Sequence, residues 1–74
     1  MMPLTMAVEG DTVVINFLDI GEHLRRRLID LGMHDRATIT VIKNDVFGSM
    51  IVSVKDSRLV IGRGQASKIM VTSV

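Results

Sequence analysis

Residues 24–33 read LRRRLIDLGM, the pattern of a short amphipathic helix running into a glycine stop. Leu24, Leu28 and Leu31 recur at i, i+4 and i+7, so one stripe is apolar and is predicted to face the core, while Arg25, Arg26, Arg27 and Asp30 spread over the remaining surface. Glu22 puts a carboxylate in the first turn, where the helix dipole favours negative charge, and precedes Arg26 by four residues, the better orientation for an ion pair. Gly32 supplies the residue that takes a left-handed conformation after the last turn without a Cβ penalty. The spacing predicts a helix over about residues 22–31.

On both sides of this helix the period changes from 3.6 to two. Val13, Ile15 and Phe17 alternate with Thr12, Val14 and Asn16, which predicts a strand with the first three residues facing inward. After the polar turn His34-Asp35-Arg36, a second strand has Ala37, Ile39 and Val41 inward and Thr38 and Thr40 outward, ending near Lys43. Residues 44–49, NDVFGS, read as a loop with Val46 and Phe47 near its tip. Met50, Val52 and Val54 define a third strand, and Asp56-Ser57 reads as a tight reversal into a fourth at 58–61. The GRGQA segment at 62–66 breaks the pattern, and a fifth strand follows at 68–72 with Ile69 and Val71 inward. Five short antiparallel strands with one inserted helix escape exposed edges by curling up. The expectation is a mainly β chain, a small five-stranded SH3-like barrel formed by residues 1–74 as a single domain.

Composition narrows function. The chain has 74 residues, 47% of them hydrophobic, a mean hydropathy of +0.38 and no cysteine. A core this small is only marginally stable and has no disulfide to support it, so the apolar surplus must pack well or find a partner. The lack of thiols excludes thiolate zinc sites, iron–sulfur clusters and thiol nucleophiles, and gives no sign of an oxidising compartment; a cytoplasmic location is the expectation. The opening MMPLTMAVEGD has neither a basic region nor a sustained apolar run, and no segment approaches the ~18 apolar residues that span a bilayer. Nine Lys and Arg against eight Asp and Glu give a net charge of +1, and the only aromatics are Phe17 and Phe47. Such a balance speaks against nucleic-acid binding, which draws on basic stripes and stacking aromatics, and a chain without Trp or Tyr lacks the lining of a proline-rich peptide groove. Gly62-Arg63-Gly64 has no GK[ST] continuation and reads as a turn. With no His–nucleophile pair and no carboxylate pair on rigid elements, no catalysis is expected.

Taken together, LRRRLIDLGM, the VFG of Val46 to Gly48, the RLVI of Arg58 to Ile61 and the closing Ala66, Ile69 and Val71 resemble, in order and spacing, the family of ferrous iron transport protein A, FeoA. The resemblance spans nearly all of the chain. It departs from the family pattern at Asp35-Arg36, where a proline and glycine are usual, and at Gly62 and Gly64, where charged residues are usual. The same barrel is similar to the C-terminal domain of iron-dependent repressors of the diphtheria toxin repressor type. The resemblance implies an SH3-like accessory protein of bacterial ferrous iron uptake that acts with a membrane transporter whose cytosolic part binds GTP.

The residues themselves offer two kinds of site. Arg25 and Arg26 beside Ile29, which falls off the leucine stripe, combine cation and apolar anchor as interface hot spots do. Met33 and Phe47 are expected to extend that patch, although Phe47 could equally fold over the barrel mouth. The alternative is a transition-metal-binding or metal-sensing domain in which His23 and His34, with nearby Asp19, Glu22, Asp30 and Asp35, take up Fe2+ weakly. The usual ligand spacings are missing, and surface histidines flanking a helix are the simpler reading; the six methionines likewise read as core filler. An edge strand left open would make a homodimer plausible.

Overall fold

In the computed structural model, which describes residues 1–74, strand β1 (Met2–Pro3) leads through a 3-10 turn (Leu4–Met6) to β2 (Thr12–Leu18) and helix α1 (Glu22–Asp30). Strands β3 (Thr38–Asn44), β4 (Met50–Val54) and β5 (Ser57–Ile61) follow, then a one-turn helix α2 (Arg63–Ala66) and β6 (Ile69–Ser73). All six strands join one antiparallel sheet in the order β1-β6-β2-β3-β4-β5. The sheet curls in the SH3-like manner expected but is not closed by hydrogen bonds, since β1 and β5 are edges that do not pair.

The alternation places the core where the sequence predicts it over most of the chain. Val13 and Ile15, Ala37, Ile39 and Val41, Met50, Val52 and Val54, Ile61, and Ile69 and Val71 are all buried. Four expectations are corrected. The strand count is six, because Met2 and Pro3 pair with Val71 and Met70, and Leu4 and Ala7 behind them enter the core. A two-residue edge strand tolerates proline because the missing N–H need not join a ladder. Phe17 does not face inward: the β2–β6 register shifts between Ile15 and Phe17, and one extra residue turns every following side chain to the other face. Phe17 is 47% exposed as a result. The hairpin reversal is Lys55-Asp56, not Asp56-Ser57, since Val54 pairs with Ser57 and Lys55 holds φ at +55°.

The fourth correction concerns the end of α1. Gly32, with φ +103°, donates its N–H to the Ile29 carbonyl at 2.9 Å, and Met33 donates to the Leu28 carbonyl at 2.9 Å. This pair of bonds is a Schellman termination, in which the residue beyond the glycine packs back on the last turn. Met33 is therefore the apolar partner of Leu28 and is fully buried, so it cannot belong to a docking surface. Leu31 goes the other way. It caps the helix and is 51% exposed, because the stripe continues past the core into a groove beside β5.

Candidate functional site

Helix α1 stands between two shallow grooves. On its β2 side, Arg25 and Ile29 line a space of about 220 Å³ with Phe17, Leu18 and Asp35. The register shift in β2 is what brings Phe17 out to meet Ile29. Arg25 extends over this groove while its guanidinium also reaches the Glu22 carboxylate at 3.3 Å. Arg26 pairs with the same carboxylate at 3.4 Å on the outer, solvated side of the helix. Both pairs are exposed and add little to stability, so these guanidiniums are free to exchange partners.

On the β5 side, Leu24, Leu28 and Leu31 face Leu59, Val60 and Ile61 across about 190 Å³. Strand β5 has no neighbour on this side, and Val60 is 70% exposed.

Phe47 stands apart from the helix residues with which it was grouped and lines neither groove. Its loop is tightly built. Arg63 donates from Nε to the Gly48 carbonyl at 3.1 Å and from its terminal nitrogen to the Asn44 side-chain oxygen and the Asp45 carbonyl. Asn44 in turn donates to the carbonyls of Thr5 and Ala7 at 3.0 and 2.7 Å, and its backbone N–H is accepted by Glu9 at 2.8 Å. From the sequence alone, Arg63 reads as part of a turn. Its role was hidden because the carbonyls it gathers belong to segments far away in the chain.

His23 and His34 are exposed near opposite ends of α1, and His34 Nδ1 lies 2.9 Å from the Asp35 carbonyl. No group of three or more His, Cys, Asp or Glu side chains gathers where it could hold one metal ion. No helix is long and apolar enough to cross a membrane.

A family model described as the FeoA domain matches residues 2–73. The chain belongs to the FeoA domain family. It is 41% identical over 71 residues to a protein of Methanocaldococcus jannaschii named for Fe(2+) transport protein A, covering 96% of this chain and 85% of that one. Among solved structures, a crystal structure of an iron uptake regulatory protein, FeoA, superposes with a TM-score of 0.87 at 30% identity over 99% of this chain and 96% of that one. The solution structure of FeoA from Chlorobium tepidum gives 0.91 at 27% identity over 99% and 70% of the two chains. A manganese-dependent transcriptional repressor shares the FeoA fold alone, with a TM-score of 0.85 at 22% identity over 97% of this chain and 41% of that one. The chain is thus a small FeoA-domain protein with an SH3-like fold.

Proposed function

We propose that this chain is a docking module of ferrous iron uptake, and that it binds the cytosolic GTP-binding part of the ferrous iron transporter through the groove between α1 and β2. The observation that carries the reading is the pairing of apolar Phe17, Leu18 and Ile29 with the Arg25 guanidinium in one open groove. Apolar anchors rimmed by arginine are the composition of interface hot spots, and family membership supplies the transport context. Arg26, on the adjoining outer face, contributes charge at the rim, where it steers encounter more than it adds affinity. The chain then works in the cytoplasm, beside the transporter and not within the bilayer. Ferrous iron is the cargo of the transporter in this reading, and the chain itself needs no resident metal and performs no catalysis.

The test is a titration of isotope-labelled protein with the purified cytosolic domain of the transporter, followed by amide shifts. Shifts at Phe17, Leu18, Arg25 and Ile29 are expected. An absence of shifts at saturating partner, or shifts confined to the opposite side of the molecule, would refute the docking face. Repeating the titration with Fe(II) under anaerobic conditions reads any weak metal encounter at His23 or His34 separately.

A further inference from the structure

We infer that the segment of the transporter domain received beside α1 carries a carboxylate next to its apolar anchor, and that Arg36, with the side-chain amide of Asn16, reads that carboxylate. This rests on the docking face proposed above and names the chemistry of what the face takes. Arg36 holds φ at +69°. The Ala37 N–H donates to the His34 carbonyl at 3.0 Å, so Arg36 takes the third place of a four-residue turn, where a positive φ makes glycine the ordinary occupant. Its own N–H donates to the Ile15 carbonyl at 2.7 Å, and the Ile15 N–H donates to the Ala37 carbonyl at 2.9 Å, which pins the turn to β2. An arginine is thus held in a left-handed backbone that disfavours a Cβ. Its side chain gains no ion pair in return, since the two ion pairs of the molecule both belong to Glu22, with Arg25 and Arg26. Strain without an intramolecular return points to a function outside the chain.

Asn16 lines the same space. It is the extra residue at the β2–β6 register shift, the irregularity that also turns Phe17 outward. The Thr72 hydroxyl donates to Asn16 Oδ1 at 2.7 Å, which fixes the amide and leaves its Nδ2 donors for another acceptor. Asn16 and Arg36 enclose about 370 Å³ with Val14, Ile15 and Asp35, and Asp35 also lines the apolar groove of the docking face. The two spaces therefore form one surface with an apolar half and a polar half.

Along this surface the guanidiniums of Arg25 and Arg36 stand against the single carboxylate of Asp35, which leaves an excess of positive charge. A planar guanidinium fork matches a carboxylate, which accepts two parallel bonds from arginine and keeps a lone pair for a neighbouring amide N–H. A small free anion would use the polar half alone and leave Phe17 and Ile29 in water. A protein segment with an acidic residue beside an apolar one fills both halves at once, and that is the occupant the surface fits. Asp35 repels a second carboxylate, so a uniformly acidic segment is disfavoured. Arg36 is exposed before docking, so it steers the encounter as well as holding the bound segment.

The test is calorimetric titration of the full chain with the purified cytosolic GTP-binding domain of the transporter, comparing wild type with Arg36→Gly and Arg36→Asn. Both replacements suit a left-handed backbone, so the turn persists, and the thermal midpoint of Arg36→Gly should not fall. Each should weaken binding by about tenfold and flatten its dependence on salt. Among the exposed Asp and Glu residues of the domain, neutralised one at a time to Asn or Gln, one should weaken binding to wild type by about tenfold and leave binding to Arg36→Gly unchanged. Arg36→Gly binding as tightly as wild type while Ile29→Asp still weakens it, or no carboxylate coupled to Arg36, overturns the inference and leaves the docking face standing. A wild type that does not bind overturns both. Inorganic phosphate alone should shift the Asn16 and Arg36 amides no more than chloride at equal ionic strength; saturable shifts there would assign the space to a free anion and overturn the inference.

Discussion

Replacing Gly32 by alanine tests the helix termination on which the whole reading of α1 depends. Two separate costs arise at this position. The backbone holds φ at +103°, where an L side chain is strained by about 1–2 kcal/mol, and a Cβ would lie 2.9 Å from Val54 Cγ1, with Lys55 side-chain carbons at 3.6 and 3.7 Å. Val54 is a core residue and cannot swing away freely, so the clash adds about 1–3 kcal/mol. Gly10 provides the control, since it has φ +91° but nothing within 4 Å of the added carbon. Gly10→Ala should therefore cost only the backbone share, about 1–2 kcal/mol, against about 2–5 kcal/mol for Gly32→Ala. For a domain this small, whose whole stability is on the order of 4–11 kcal/mol, the larger loss is a substantial fraction. With a urea slope near 1 kcal/mol/M, the unfolding midpoint should fall by about 2–5 M for Gly32→Ala and about 1–2 M for Gly10→Ala. Combining Gly32→Ala with Val54→Ala removes the clashing methyl, and the cycle should show about 1–3 kcal/mol of favourable coupling. Equal losses at the two glycines, or a cycle with no coupling, would refute the argument that Gly32 is required for close approach to β4.

Met33→Ala should lower stability by about 2–5 kcal/mol in chemical denaturation through the cavity it opens, while the variant's folded fraction binds the transporter domain like wild type. Arg63→Met should lose about 2–3 kcal/mol of stability with its charged hydrogen bonds, and residues 45–48 should become mobile in heteronuclear relaxation while the sheet amides stay rigid. Ile29→Asp should weaken partner binding by at least tenfold, about 1.4 kcal/mol, in calorimetric titration without altering the thermal midpoint, because the side chain is only partly buried and faces the open groove.

Much of this molecule is local enough to read directly. Leu24 and Leu28 with Gly32 mark a helix and its end because the period, the stripe and the left-handed stop lie within a dozen consecutive residues. Ile39 and Val41, or Val52 and Val54, mark buried faces because a strand alternates with a period of two whatever it pairs with. That Arg25 and Ile29 share the flank of the helix is legible for the same reason, and the structure places both on one groove; that a partner docks there is the proposal. The errors share a cause. Met33 looks like a free apolar residue after a helix until the Schellman bonds fold it beneath Leu28. Phe17 follows its alternation until β6 imposes a bulge.

The sequence by itself determined the element types, their order and most of the core, since these depend on short-range periodicity and on the conformational freedom of one glycine. Tertiary structure alone decided which faces remain open. Strand β1 exists only because Val71 and Met70 arrive beside Met2 and Pro3, and Arg63 becomes a clamp only because Asn44, Asp45 and Gly48 come within its reach. Pairing between distant segments leaves no periodic trace in either one, so the open β5 edge, the grooves flanking α1 and the fixed Phe47 loop are properties of the assembled sheet.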